Sequence, residues 1–235
     1  GHSARRRALL RAVRELLSLE WQSRGRLSLH ASAFVWRGRA VAFLGPKGAG
    51  KTTSLLSCLR VPGAAYLTND RLALDLDSGM AGAVATILNL RRSSLERLPH
   101  LDPQTLGNEY QLSTERPRPK LKDGGHVTGP AQLCRALGMS RMGQAPLGAL
   151  LFLRLEPSLP GARTRALTPS QARKALEENL LYPGGERRHF ALWPSLKRGV
   201  VPSKLSLPAY ACELGPDALL DPTETSRWLE QLSGS

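Results

Sequence analysis

The stretch Val41-Ala-Phe-Leu-Gly-Pro-Lys-Gly-Ala-Gly-Lys-Thr-Thr53, VAFLGPKGAGKTT, decides how the rest of the chain is read. It begins within a continuous apolar run, Ala40 to Leu44, of the kind that forms a strand buried on both faces. Gly45-x-x-x-x-Gly50-Lys51-Thr52 follows, a full match to the phosphate-loop pattern, placed after a strand and before a helix start as that pattern requires. The glycines let backbone N–H groups close around β- and γ-phosphates, and the helix N-terminus adds the positive end of its dipole. The expected nucleotide-binding set is Gly45, Pro46, Lys47, Gly48, Ala49, Gly50, Lys51, Thr52 and Thr53. Lys51 would neutralise the β/γ oxygens and the Thr52 hydroxyl would hold Mg2+, so ATP and Mg2+ are the expected cofactors.

Upstream, Leu27, Leu29, Ala31, Ala33 and Val35 alternate with Ser28, His30 and Ser32, the period of a strand. Arg37-Gly38-Arg39 reads as a turn, so a hairpin is expected to feed the loop. Residues 4–19 carry Leu9, Leu10, Val13, Leu16 and Leu17 at three-to-four spacing with arginines on the other face, an amphipathic helix. Packing on its own domain is the expected fate of residues 1–25, with a membrane surface as the alternative; residues 26–235 form the main domain.

Downstream, a helix from Lys51 to about Arg60 ends at Pro62-Gly63, and AAYLTND forms a strand that closes on Asn69 and Asp70. Magnesium needs an acid at a neighbouring strand end, and Asp70 supplies it; Asp75 and Asp77 read as solvated turn acids. Residues 90–127 are basic and irregular. A buried strand over Leu147–Leu155, a helix capped by Thr168 ahead of Pro169, a strand at LSLPAYACELG and a closing helix over 216–232 complete the chain.

Composition agrees with an ordinary globular domain: 235 residues, 41% hydrophobic and 22% charged. No run reaches the roughly 20 apolar residues of a membrane span, and no secretory signal pattern is legible. Cys58, Cys134 and Cys212 lack zinc-like spacing, which suits a reducing cytoplasm. The net charge of +14 fits nucleic acid, an anionic surface, an acidic peptide or phosphorylated substrates. Low aromatic content, 5%, and the absence of helicase-type motifs argue against a nucleic-acid-linked ATPase.

These residues resemble the HPr kinase/phosphorylase-like kinases. That family has a His on a strand, a hairpin, the phosphate loop about fifteen residues on, and a strand ending in Asp-Asp-Arg. Here His30 precedes Gly45 in SLHASAFVWRGRAVAFLGPKGAGKTT, and LTNDRLAL occupies the acidic strand; the looser likeness runs over residues 26–232. The resemblance implies an α/β fold with a P-loop kinase core of the HPr kinase/PEP carboxykinase-like type, a mixed sheet flanked by helices. It also implies catalytic roles for His30, Asp70 and Lys51, metal ligation by Thr52 and Asp70, and a homo-oligomer. Asn69, Arg71, Arg91 and Arg92 are candidates for substrate contact.

Asn69 stands where the family places its first Asp, leaving one acid where combined kinase and phosphorylase activities use two. No copy of the family's glycine- and asparagine-containing HPr-recognition segment is present, so the expected acceptor is a hydroxyl of a small molecule or peptide side chain. The alternative is a catalytically impaired nucleotide-binding regulatory partner, with Asn69 as the mark of lost chemistry.

Overall fold

The computed structural model describes residues 2–84, 86–98, 100–101, 106, 125–181, 200–202 and 207–233. In chain order the elements are α1 (His2–Ser23), β1 (Leu27–Leu29), β2 (Ser32–Trp36), β3 (Arg39–Leu44), α2 (Lys51–Cys58), β4 (Ala65–Thr68), β5 (Leu72–Leu74), β6 (Met80–Ala83), β7 (Leu88–Leu90) and α3 (Arg92–Arg97). They continue with β8 (His126–Thr128), α4 (Pro130–Ala136), β9 (Gln144–Leu155), β10 (Ala162–Ala166), α5 (Pro169–Glu178), β11 (Ala209–Leu214) and α6 (Pro222–Ser233).

The apolar run before the loop becomes β3, and its neighbours explain why it is apolar throughout. Val41 and Phe43 point into one core cluster, with Leu55 and Leu56 of α2, Leu133 of α4 and Leu229 of α6. Ala40, Ala42 and Leu44 point into a second cluster, with Ala172 and Leu176 of α5. A strand covered on both faces has no polar positions to alternate.

The sheet is mixed and nine-stranded, with β3, β9 and β11 parallel at its centre. β3 pairs with Leu147–Phe152 of β9, and β11 with Leu150–Leu155 of the same strand, so the two flank it. β1, β5 and β6 extend the sheet antiparallel on one side, β2 and β4 on the other, and β10 adds an antiparallel edge to β11. The hairpin β2–β3 turns at Arg37-Gly38, as its sequence requires. β7 and β8 form a separate two-stranded pair. The fold is therefore α/β, a mixed sheet flanked by helices.

Three features differ from the sequence reading. The alternating run from Leu27 to Val35 is two strands, β1 and β2, that break at His30-Ala31: β1 pairs with β5, whereas β2 pairs with β3 and β4. Its serines are buried as deeply as its leucines, because the Ser28 hydroxyl donates to Ser18 O and the Ser32 hydroxyl to Lys51 O. β10, ARTRA, was not foreseen; it is an exposed edge strand with no apolar stripe to announce it.

The third difference is the orientation of α1. Ser18, Leu19 and Gln22 are buried against the domain, while Leu9, Val13, Leu16 and Leu17 are between 45% and 63% exposed. The docking is polar: Glu15 reaches the Arg71 guanidinium at 2.7 Å, and Arg71 also donates to the Ser18 hydroxyl. Of the basic stretch from 90 to 127, Arg116, Arg118, Lys120 and Lys122 lie outside the described residues, as do residues 184–199 and 203–204 of a second basic loop, 184–204.

Candidate functional site

The loop between β3 and α2 leaves the sheet where the parallel strands end, the position at which α/β proteins bind ligands. Gly45 has φ +138°, and a Cβ there would meet the Leu153 carbonyl oxygen at 2.7 Å and Ala49 Cβ at 3.2 Å. The chain can pass over β9 at this point only as glycine. Gly50 caps α2 in the left-handed region and, having no side chain, offers the helix no side-chain cap. The first-turn N–H groups of α2 have no intrahelical acceptors.

Lys51, 8% exposed, folds back over this loop, and its Nζ donates to Gly45 O at 2.6 Å and Pro46 O at 3.1 Å. Among the described residues no carboxylate forms an ion pair with it. Burial lowers its pKa, and the nearby Asp70 carboxylate pulls it partly back up. A buried ammonium held by two backbone carbonyls, beside the N-terminal N–H groups of α2, fits an anion such as a phosphate. Thr52 follows, half-buried, and the Thr53 hydroxyl lies 3.1 Å from that of Ser94, which ties α3 to α2.

Asp70 is presented by the turn between β4 and β5, shaped by the Thr68 hydroxyl donating to Arg71 O and Val84 O. His30, at the break between β1 and β2, places Nε2 at 3.3 Å from Asp70 Oδ1, with both side chains about 40% exposed. The hydrogen bond from His30 lowers the Asp70 pKa most; burial opposes it, and the charges of His30, Arg71 and Arg14 add to the lowering. The structure thus brings His30, Asp70 and Lys51 together beside the loop.

Asn69 and Arg71 face elsewhere. Asn69 is 9% exposed; its Oδ1 accepts from the Tyr66 hydroxyl at 2.6 Å and the Thr86 hydroxyl at 2.9 Å, and its Nδ2 donates to Ile87 O at 3.2 Å. This position demands a donor and an acceptor together, which an amide supplies and a carboxylate does not. Arg71 is turned to Glu15 of α1, and its Nε stays 4.0 Å from Asp70 Oδ2. Arg91 precedes α3 as an exposed residue, and Arg92 pairs with Glu96 on the surface.

One site residue was invisible to motif reading. Asn179, at the C-terminal cap of α5, accepts from the Gly45 N–H through Oδ1 at 2.8 Å and from the His30 N–H through its carbonyl at 3.0 Å. Nothing local in EENLL signals this, because the partners lie more than 130 residues upstream.

Among the described residues no group of three or more His, Cys, Asp or Glu could hold a metal by itself.

No family model matches the chain, and no curated protein matches it. Among solved structures, the Hpr(Ser) kinase/phosphatase from Coxiella burnetii is similar with a TM-score of 0.32 and 14% identity, over 72% of this chain and 87% of that one. That similarity carries no argument here, and the functional reading rests on the site.

Proposed function

We propose that the protein is an ATP-dependent phosphotransferase that moves the γ-phosphate to a hydroxyl of a small molecule or peptide side chain. The observation that carries this reading is the convergence of a phosphate loop and its lysine with a His30–Asp70 pair 3.3 Å apart. A loop alone accounts for phosphate binding; the adjacent acid and imidazole account for handling an acceptor proton.

In this reading the α2 N-terminus and Lys51 bind the nucleotide phosphates, and the Thr52 hydroxyl and Asp70 would hold Mg2+. The metal, when bound, neutralises charge developing on the phosphate oxygens. The proton of the attacking hydroxyl passes to His30, or to Asp70 where that carboxylate is not given to the metal, as the hydroxyl oxygen bonds to phosphorus and the bond to the ADP oxygen breaks. Phosphoryl transfer depends chiefly on positioning and charge neutralisation, so one carboxylate suffices. Asn69 takes no part, being held in the Tyr66–Thr86–Ile87 network. A site whose chemistry has been lost is the competing reading.

The test is incubation with Mg-ATP labelled in the γ-phosphate and a panel of hydroxyl acceptors and peptides, with Lys51→Ala as control. Transfer to one acceptor, absent from the control, supports a kinase. Tight Mg-ATP binding without transfer or hydrolysis across the panel makes the protein a nucleotide-binding partner.

A further inference from the structure

Asn179 joins the two halves of the candidate site. Its side-chain Oδ1 accepts the Gly45 N–H at 2.8 Å, its Nδ2 donates to Ala175 O at 2.8 Å, and its carbonyl accepts the His30 N–H at 3.0 Å. The amide orientation follows from these partners: a flipped side chain would set NH2 against N–H at Gly45 and oxygen against oxygen at Ala175. The segment after α5 is itself pinned to β1, with Leu180 bridged to Leu29 and the Leu181 N–H donating to Ser28 O. The residue that caps the C-terminus of α5 therefore sets both where the loop begins and where His30 sits.

We infer that Asn179 is the positioning residue of this site, fixing the first turn of the phosphate loop relative to the His30–Asp70 pair. The inference rests on the phosphate-binding reading above. Tying the Gly45 N–H to a side chain removes it from the groups that face a ligand and makes it an anchor. The left-handed glycine loop is then held from the α5 side of the sheet, while Ser32 holds the Lys51 carbonyl from β2. Without the anchor the loop samples other entries to α2, and a preorganised set of N–H donors becomes a mobile one.

The experiment compares wild type, Asn179→Ala and Asn179→Asp in the full chain by amide hydrogen exchange at Gly45, calorimetric Mg-ATP binding and melting temperature. Losing one net hydrogen bond should weaken Mg-ATP by roughly five- to tenfold in Asn179→Ala, with faster Gly45 exchange in the ligand-free protein. Asn179→Asp keeps an acceptor for Gly45, so its exchange stays near wild type, while the added negative charge weakens Mg-ATP in a salt-dependent way. If Asn179→Ala does not fold, this pattern in the Asp variant carries the test. An Ala variant that melts lower but binds Mg-ATP like wild type overturns the positioning role, as does unchanged Gly45 exchange in the Ala variant, or an Asp variant with wild-type Gly45 exchange whose lost affinity is not restored at high salt. Failure of wild type to bind Mg-ATP overturns the phosphate-binding reading itself, and this inference with it.

Discussion

Gly45→Ala and Gly48→Ala make a paired experiment on the same loop. Both glycines have positive φ, +138° and +92°, but only Gly45 is crowded: an added Cβ would lie 2.7 Å from the Leu153 carbonyl oxygen, whereas nothing lies within 4 Å of one at Gly48. The obstacle at Gly45 is the backbone of β9, a central strand paired on both edges, so it cannot swing aside as a flexible side chain would. Gly48→Ala should then lose about 1–2 kcal/mol, the cost of a left-handed L-residue. Gly45→Ala carries a backbone strain of about 1–3 kcal/mol and an overpacking cost of another 1–3 or so. The sum, about 2–6 kcal/mol, is a large share of the roughly 5–15 kcal/mol that holds a typical domain together. Urea denaturation of both variants, with midpoint and slope fitted separately, gives the difference directly. Equal stability of the two variants would refute the argument, because it would mean that the close approach of loop and strand costs nothing.

Three further outcomes follow from the site. Asn69→Asp, which restores the carboxylate of the resembled family, should lower stability by about 1–3 kcal/mol, since it sets an oxygen against the Ile87 carbonyl in a buried position; a thermal melt at or above wild type would contradict this. Because the hydrogen bond from His30 depresses the Asp70 pKa, its contribution to stability is complete above the usual carboxylate range near about 4 and is lost as pH falls through the lower folded value. Melting between neutral and strongly acid pH should show a shallower acid slope for Asp70→Asn than for wild type, and identical slopes would exclude the coupling. Burial raises the pKa of all three cysteines, Cys212 to about 12; alkylation at neutral pH should therefore be slow in the native protein and fast in denaturant, and prompt native labelling would place a thiol at the surface.

The parts of the fold that were legible are those whose cause is local. VAFLGPKGAGKTT contains its own strand, glycine turn and helix start, and the hairpin before it carries its own Arg37-Gly38 turn. Thr168 announces α5 because a side-chain cap, its N3 glutamine and Pro169 lie within four residues, and the structure shows the reciprocal bonds between Thr168 and Gln171. α1 shows the limit of such reading. Its leucine spacing was correct as a helix signal, yet the helix docks through Glu15, Ser18, Leu19 and Gln22, with Glu15 supplying a carboxylate to Arg71, which is buried in the turn after β4. Amphipathicity identifies a face, and the partner that meets it is chosen elsewhere in the chain.

By itself the sequence determined a strand that runs into a glycine-rich loop of the phosphate-loop pattern and a helix start, and offered Asp70 as a strand-end acid; His30 became a candidate through the resemblance to a known family. Only the tertiary structure decided that those two side chains meet at 3.3 Å, that Asn69 turns away into a buried network while Arg71 reaches Glu15 of α1, and that Asn179 ties the loop to His30. The reason is physical: glycine conformation, capping and apolar periodicity act over a few residues, whereas hydrogen bonds between distant segments exist only after parallel pairing of β3, β9 and β11 has brought α5 across the sheet to the mouth of the loop.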